Sequence, residues 1–147
     1  MNPGPRETDI FIAEDNPADI RLIEEALRDM TPRPALEIVY DGQQVLECLV
    51  DSVRTAPPLL LLDFHLPKVD SREVLKRLRQ QERLRDTAVV ILSTSEVEEV
   101  IHEAYSLGAD CYLSKPSDLD EFLRTIRHAA EYWLGLQRAS ATAFQNE

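Results

Sequence analysis

The sequence predicts an α/β fold, a doubly wound parallel sheet of five strands with helices on both faces. Three observations lead there. Short apolar runs such as LLLL (59–62) and AVVIL (88–92) show no polar alternation, as strands covered on both faces require. Stretches with apolar residues every three or four positions lie between them, as amphipathic helices require. Pro, Gly, Asp and Asn mark the joints, and the two patterns alternate along the chain. Connections between parallel neighbours are expected to be right-handed.

The first strand is IFIA (10–13), and Asn16-Pro17 turns the chain into a helix whose stripe is Ile20, Ile23, Leu27 and Met30. TPRP (31–34) stops that helix, LEIV (36–39) is the second strand, and Asp41-Gly42 is a turn. Val45, Leu46, Leu49 and Val53 form the second helical stripe, ended by TAPP. The third strand, LLLL, is followed by a helix marked by Val74, Leu75 and Leu78. After AVVIL, the residues Val97, Val100, Ile101, Ala104 and Leu107 give the fourth helix, with Gly108 as its C-terminal cap. CYL (111–113) is the fifth strand, and a long fifth helix begins at Leu119 with Ser117 as its candidate cap.

The 147 residues suit one domain. Residues 1–8 are expected to be flexible, 9–130 to form the domain, and 131–147 to be a helical extension and tail. The 44% hydrophobic content and mean hydropathy of −0.28 are those of a soluble globular chain. A net charge of −11 argues against nucleic-acid binding by phosphate neutralisation. The longest apolar run is far too short to cross a membrane, and 1–8 lacks the apolar core of a signal peptide. Cys48 and Cys111 fall in apolar segments with no metal or redox spacing, as buried thiols of a cytoplasmic protein would.

In such sheets ligands bind beyond the carboxyl ends of the strands. There the sequence places Glu14 and Asp15 after the first strand, Asp63 after the third, Ser93 and Thr94 after the fourth, and Lys115 after the fifth. Acids at close range cannot all stay ionised without a cation, and one lysine neutralises only part of their charge. Hard carboxylate oxygens suit Mg²⁺, which leaves Asp63 as the natural nucleophile for forming an acyl phosphate. Lys115 and the Ser93 hydroxyl would then hold phosphoryl oxygens. A cis peptide at Lys115-Pro116 would aim the lysine inward.

These residues resemble the receiver domain of two-component response regulators, from about Asp9 to Arg127. The resemblance implies the flavodoxin-like strand order 2-1-3-4-5 of the chemotaxis receiver, the simplest member of the family. It implies that Glu14 and Asp15 are the acidic metal pair and Asp63 the phosphoacceptor, with Ser93 as switch hydroxyl and Tyr112 as switch aromatic. The backbone carbonyl of His65 would complete the metal ligands. EDNPAD, LPKVDSREVL and the late YWLGL resemble a narrower group, the single-domain receivers that partner bacterial phytochrome histidine kinases. Two departures stand out: His65 where that group usually has Asn, and Ser71 where most receivers have Gly. The His65 side chain would overhang the phosphoryl group and tune its lifetime.

Rival classes fit less well. The four glycines are isolated, so there is no phosphate-cradling loop. An Asp-nucleophile phosphatase would want a second acid two places after Asp63, where His65 stands. The expected function is that of a stand-alone phosphorylated switch, not a conventional enzyme, although it could catalyse its own phosphorylation and dephosphorylation. Phosphorylation is expected to draw Ser93 to the phosphate, change the rotamer of Tyr112 and repack the fourth helix and fifth strand. The alternative is a receiver-shaped interaction module that never takes phosphate. On the last helix, Leu119, Phe122, Ile126, Ala129, Trp133 and Leu136 form one apolar stripe, with Leu123, Ala130 and Leu134 beside it. Trp133, Leu134 and Leu136 would project past the sheet, so a homodimer interface is expected on Phe122, Ile126, Trp133, Leu134 and Leu136.

Overall fold

The computed structural model describes residues 7–145. Five strands, β1 (Ile10–Ala13), β2 (Leu36–Val39), β3 (Leu59–Asp63), β4 (Ala88–Ser93) and β5 (Cys111–Ser114), form one sheet in the order β2-β1-β3-β4-β5. Every pairing is parallel. The helices are α1 (Pro17–Arg28), α2 (Gly42–Val45), α3 (Ser71–Arg79), α4 (Glu98–Ser106) and α5 (Leu119–Gln145). A π-helical turn, Leu46–Val50, continues α2. No helix among the described residues is long and apolar enough to cross a membrane.

The alternating faces of the apolar strands build two cores. Phe11, Leu60, Leu62, Val89 and Ile91 pack against Val45 and Leu49, against Val74, Leu75 and Leu78 of α3, and against Ala104 of α4. Ile10, Ile12, Leu59, Leu61, Val90 and Leu92 face Ile23 and Leu27 of α1 and Phe122, Ile126, Ala130 and Leu134 of α5. Because β3 lies in the middle, Leu59 to Leu62 are all fully buried. That explains a run of four leucines with no polar face.

Local chemistry fixes the helix starts. The Asn16 side chain accepts hydrogen bonds from the Ala18 and Asp19 amides ahead of Pro17, the Asp41 carboxylate accepts from the Gln44 amide, and the Asp70 carboxylate from the Arg72 amide. Gly108 ends α4 at φ +112°, where a side chain would also collide with Arg79.

Several expectations need correction. The second stripe stops short of Val53, which is fully exposed. The π turn closes with an Asp51 N–H to Leu46 C=O bond, and Arg83 donates to the carbonyls of Val50 at its end and Ser52 beyond it. The cap of α5 is Asp118, not Ser117: its carboxylate accepts from the Glu121 amide. The cis peptide among the described residues is Thr31-Pro32, so Lys115 turns inward across a trans bond. Thr8 is tied down, donating to Glu37 and accepting from Arg54. The rest of the segment expected to be flexible lies largely outside the described residues.

The largest correction concerns α5. Phe122, Ile126 and Leu134 are buried in the chain's own core, at 3%, 1% and 2% exposure, and cannot serve as an interface between copies. Trp133 also packs partly on that core. The packed part of α5 thus runs past 130, as far as Gln137, whose amide donates to the Asp86 carbonyl at 2.7 Å. The buried stripe follows 122, 126, 130 and 134, an unbroken four-residue spacing, and the sequence offered a competing stripe of equal apolarity.

Candidate functional site

The strand order reverses between β1 and β3, so the chain leaves the sheet in opposite directions there and opens a crevice. Glu14 and Asp15 follow β1 at its rim, and Asp63 ends β3 beside them. The resulting cleft of about 420 Å³ is lined by Glu14, Asp15, Asn16, Pro17, Asp19, Asp63, His65, Thr94 and Lys115. Glu14, Asp15 and Asp63 each offer a carboxylate oxygen, all within 4.8 Å of one another. Glu14 and Asp63 are buried, whereas Asp15 faces solvent. A hard, all-oxygen set with one open side is the donor chemistry of a divalent cation such as Mg²⁺ or Mn²⁺.

Lys115 reaches into this cluster from the end of β5. Its ammonium donates to Glu14 Oε2 at 2.8 Å, Asp19 Oδ2 at 3.0 Å and Asp63 Oδ2 at 3.2 Å. The other Asp63 oxygen, Oδ1, accepts the His65 amide at 2.9 Å, and Glu14 Oε1 accepts the Asn16 amide at 3.1 Å. Burial, reinforced by hydrogen bonding with Asp63, pushes the Glu14 carboxyl up to about 8. Burial also opposes ionisation of Asp63, but hydrogen bonds from Glu14, the His65 amide and Lys115 outweigh it and hold Asp63 below the usual range. Lys115 is likewise disfavoured by burial, yet Glu14, Asp63 and Asp19 hold its ammonium above its ordinary value. Without a metal, Glu14 keeps its proton at neutral pH while Asp63 is ionised.

The β4 end supplies hydroxyls. Ser93 is fully buried; its Oγ accepts the Ser95 amide at 3.1 Å and lies 3.4 Å from His65 Nε2. Thr94 is exposed and lines the cleft. Tyr112 on β5 does not line the cleft. It is 9% exposed, stands edge-on to Phe64, and its hydroxyl donates to the Ser95 carbonyl at 2.8 Å. The Tyr112 ring is thus packed inward in this structure. The cluster expected from the sequence converges, and two members escaped that reading. Asp19 sits in the first turn of α1, where acids are common, and Ser71 looked like a mere departure. The Ser71 hydroxyl is fully buried and donates to the Asp63 carbonyl at 2.6 Å, which ties α3 to the end of β3.

Comparison with known proteins agrees with this geometry. The family model described as "Response regulator receiver domain" matches residues 10–127. A probable methanogenesis regulatory protein, FilR2 of Methanothrix harundinacea, is 37% identical over 91% of this chain and 88% of its own length. Response regulator Rcp1 of Synechocystis is 35% identical over 85% of this chain and 88% of its own. Its Mn²⁺-bound crystal structure superposes with a TM-score of 0.79, covering 87% of this chain and 95% of that one. The phosphorylated cyanobacterial phytochrome response regulator RcpA is 38% identical, with a TM-score of 0.81 over 88% of this chain and 95% of that one.

Proposed function

Because the chain belongs to the response regulator receiver domain family and so to phosphorylation-based two-component signalling, we propose that Asp63 is its phosphoacceptor and a sensor histidine kinase its donor. One observation carries the assignment of Asp63. Among the described residues it alone joins a carboxylate held ionised, an adjacent ammonium and two neighbouring acids at the mouth of the crevice. The resemblance to Rcp1 and RcpA supports a phytochrome-type kinase as the donor.

An Asp63 oxygen attacks phosphorus, the P–N bond of the kinase phosphohistidine breaks, and its electron pair returns to the imidazole, which takes a proton from solvent. Lys115 and the Ser93 hydroxyl, with Thr94 at the rim, donate hydrogen bonds to the phosphoryl oxygens and stabilise their charge. Glu14, Asp15, Asp63 and the backbone carbonyl of His65 would hold Mg²⁺, which when bound supplies positive charge opposite those oxygens. The same groups would let the chain take phosphate from a small donor and lose it to water. His65, whose ring stands beside Ser93, shields that phosphorus and prolongs the phosphorylated state.

Output passes through protein contact, in the cytoplasm, and the net charge of −11 disfavours nucleic acid as the partner. Pulling Ser93 toward a phosphoryl group shifts Ser95 and, through it, the hydroxyl of Tyr112, which couples the site to β5 and α4. Two copies would pair through the apolar side chains that α5 leaves outside, Tyr132 and Leu136 at 59% and 44% exposure, with the outer edge of Trp133.

Incubation with a bacteriophytochrome kinase and radiolabelled ATP tests the assignment. Label should move to the wild-type chain in a metal-dependent reaction and not to Asp63→Asn. Equal labelling of that variant, or label that never leaves the kinase, would overturn it. The alternative is a phosphate-independent interaction module, in which Tyr112 stays packed edge-on to Phe64. That reading gains if binding to the kinase is indifferent to Asp63→Asn.

A further inference from the structure

Lys115 is saturated. An ammonium has three N–H donors and no more, and here they are taken by Glu14, Asp19 and Asp63. Any oxygen delivered to Asp63 can be bonded by Lys115 only if one of these acceptors lets go. Glu14 is fully buried and its other oxygen is fixed by the Asn16 amide. Its Oε2, parted from Lys115 there, would find no water, which makes it a costly acceptor to release. Asp19 differs. Its side chain is 22% exposed, against 0% for Glu14 and 7% for Asp63, and it stands in the first turn of α1 at the lip of the cleft. Rotated outward, it is rehydrated at once.

We propose that Asp19 is a positioning residue for Lys115: it holds the ammonium at rest and yields it to the incoming phosphoryl oxygen. The inference rests on Asp63 as phosphoacceptor and adds a fourth carboxylate to the three that chelation accounts for. It also sets a preference among donors. A charge at the lip repels a doubly charged donor such as acetyl phosphate more than a donor of lower charge such as phosphoramidate, so Asp19 biases the site against the former.

The test compares wild type, Asp19→Asn and Asp19→Glu. In the metal-free protein the Lys115 ammonium, bonded three ways and 9% exposed, should give a slowly exchanging ¹⁵N–¹H signal. Asp19→Asn should lose that signal and Asp19→Glu should keep it. With metal present, Asp19→Asn should accept phosphate from acetyl phosphate about three- to tenfold faster, as expected for removing one charge near a partly solvated site. The gain should be smaller with phosphoramidate and should shrink at high salt, and Asp19→Glu should return to the wild-type rate. If Asp19 merely stabilises the start of α1, Asp19→Asn will lower Tm slightly and leave the Lys115 signal and both rates within twofold of wild type, which overturns the proposal. Labelling of Asp63→Asn would instead overturn the reading of the acceptor on which it rests.

Discussion

Glu14 carries its proton at neutral pH because burial raises it to about 8, yet as a metal ligand it must be a carboxylate. Cation binding below that value therefore expels a proton. Affinity for Mg²⁺ should rise with pH by up to about tenfold per unit and level off above about 8. Calorimetry in buffers of different ionisation enthalpy would read both the slope and the released proton. His65 makes a second prediction. Its ring lies 3.4 Å from the Ser93 hydroxyl and lines the cleft, where on the proposed reading it would stand in the way of water attacking phosphorus. His65→Asn should shorten the life of the phosphorylated state severalfold, timed by mass spectrometry after removal of the donor, with its formation little changed.

At the scale of elements, the site is assembled by contacts that no single segment announces. Ser71 holds the start of α3 against the Asp63 carbonyl from a fully buried position. Ser71→Ala leaves that acceptor unpaired and should cost about 1–3 kcal/mol in denaturant unfolding. Arg72, one residue on, lies over the Phe64 ring at 4.6 Å and is paired with Glu103 of α4, while Phe64 meets Tyr112 edge-on. Arg72→Ala should loosen α4 and blunt its response to phosphorylation, read as faster amide exchange across Glu98–Ser106. These links explain what the sequence could and could not tell. Buried strands are legible because a strand covered on both faces must be apolar throughout, so β1, β3 and β4 announce themselves and their carboxyl ends follow. The roles of Ser71 and Asp19 depend on partners 8 and 96 residues away, which neither position names in the sequence. The stripe on α5 misled because helical periodicity shows that a face is apolar without showing what covers it. Two apolar stripes compete there, and only the sheet selects one.

For the whole molecule, the burial of Leu134 changes how self-association must be probed. Ending the chain at Ala130 would strip a core side chain and confound unfolding with dissociation. Leu134→Ala alone should cost about 2–5 kcal/mol. Tyr132→Asp with Leu136→Asp leaves the core intact, since both side chains face solvent. If two copies pair through this face, light scattering at tens of micromolar should show a dimer for the wild type and a monomer for the double variant, with Tm unchanged.

The Lys115 contacts also bear on how the chain acquires its shape in time. Glu14 and Lys115 are 101 residues apart in sequence, and Asp63 and Lys115 are 52 apart. Closing loops of that length comes late in folding. Until β5 docks, the β1–β3 centre of the sheet brings the charges of Asp15 and Asp63 together with no ammonium to answer them. The nascent core must fold against its own charge, and a divalent cation can relieve that repulsion before Lys115 arrives. Refolding followed by stopped flow should quicken with millimolar Mg²⁺, and the gain should vanish in a variant carrying Asp15→Asn and Asp63→Asn. A feature suited to signalling would thus also govern how fast the protein reaches the state in which it can signal.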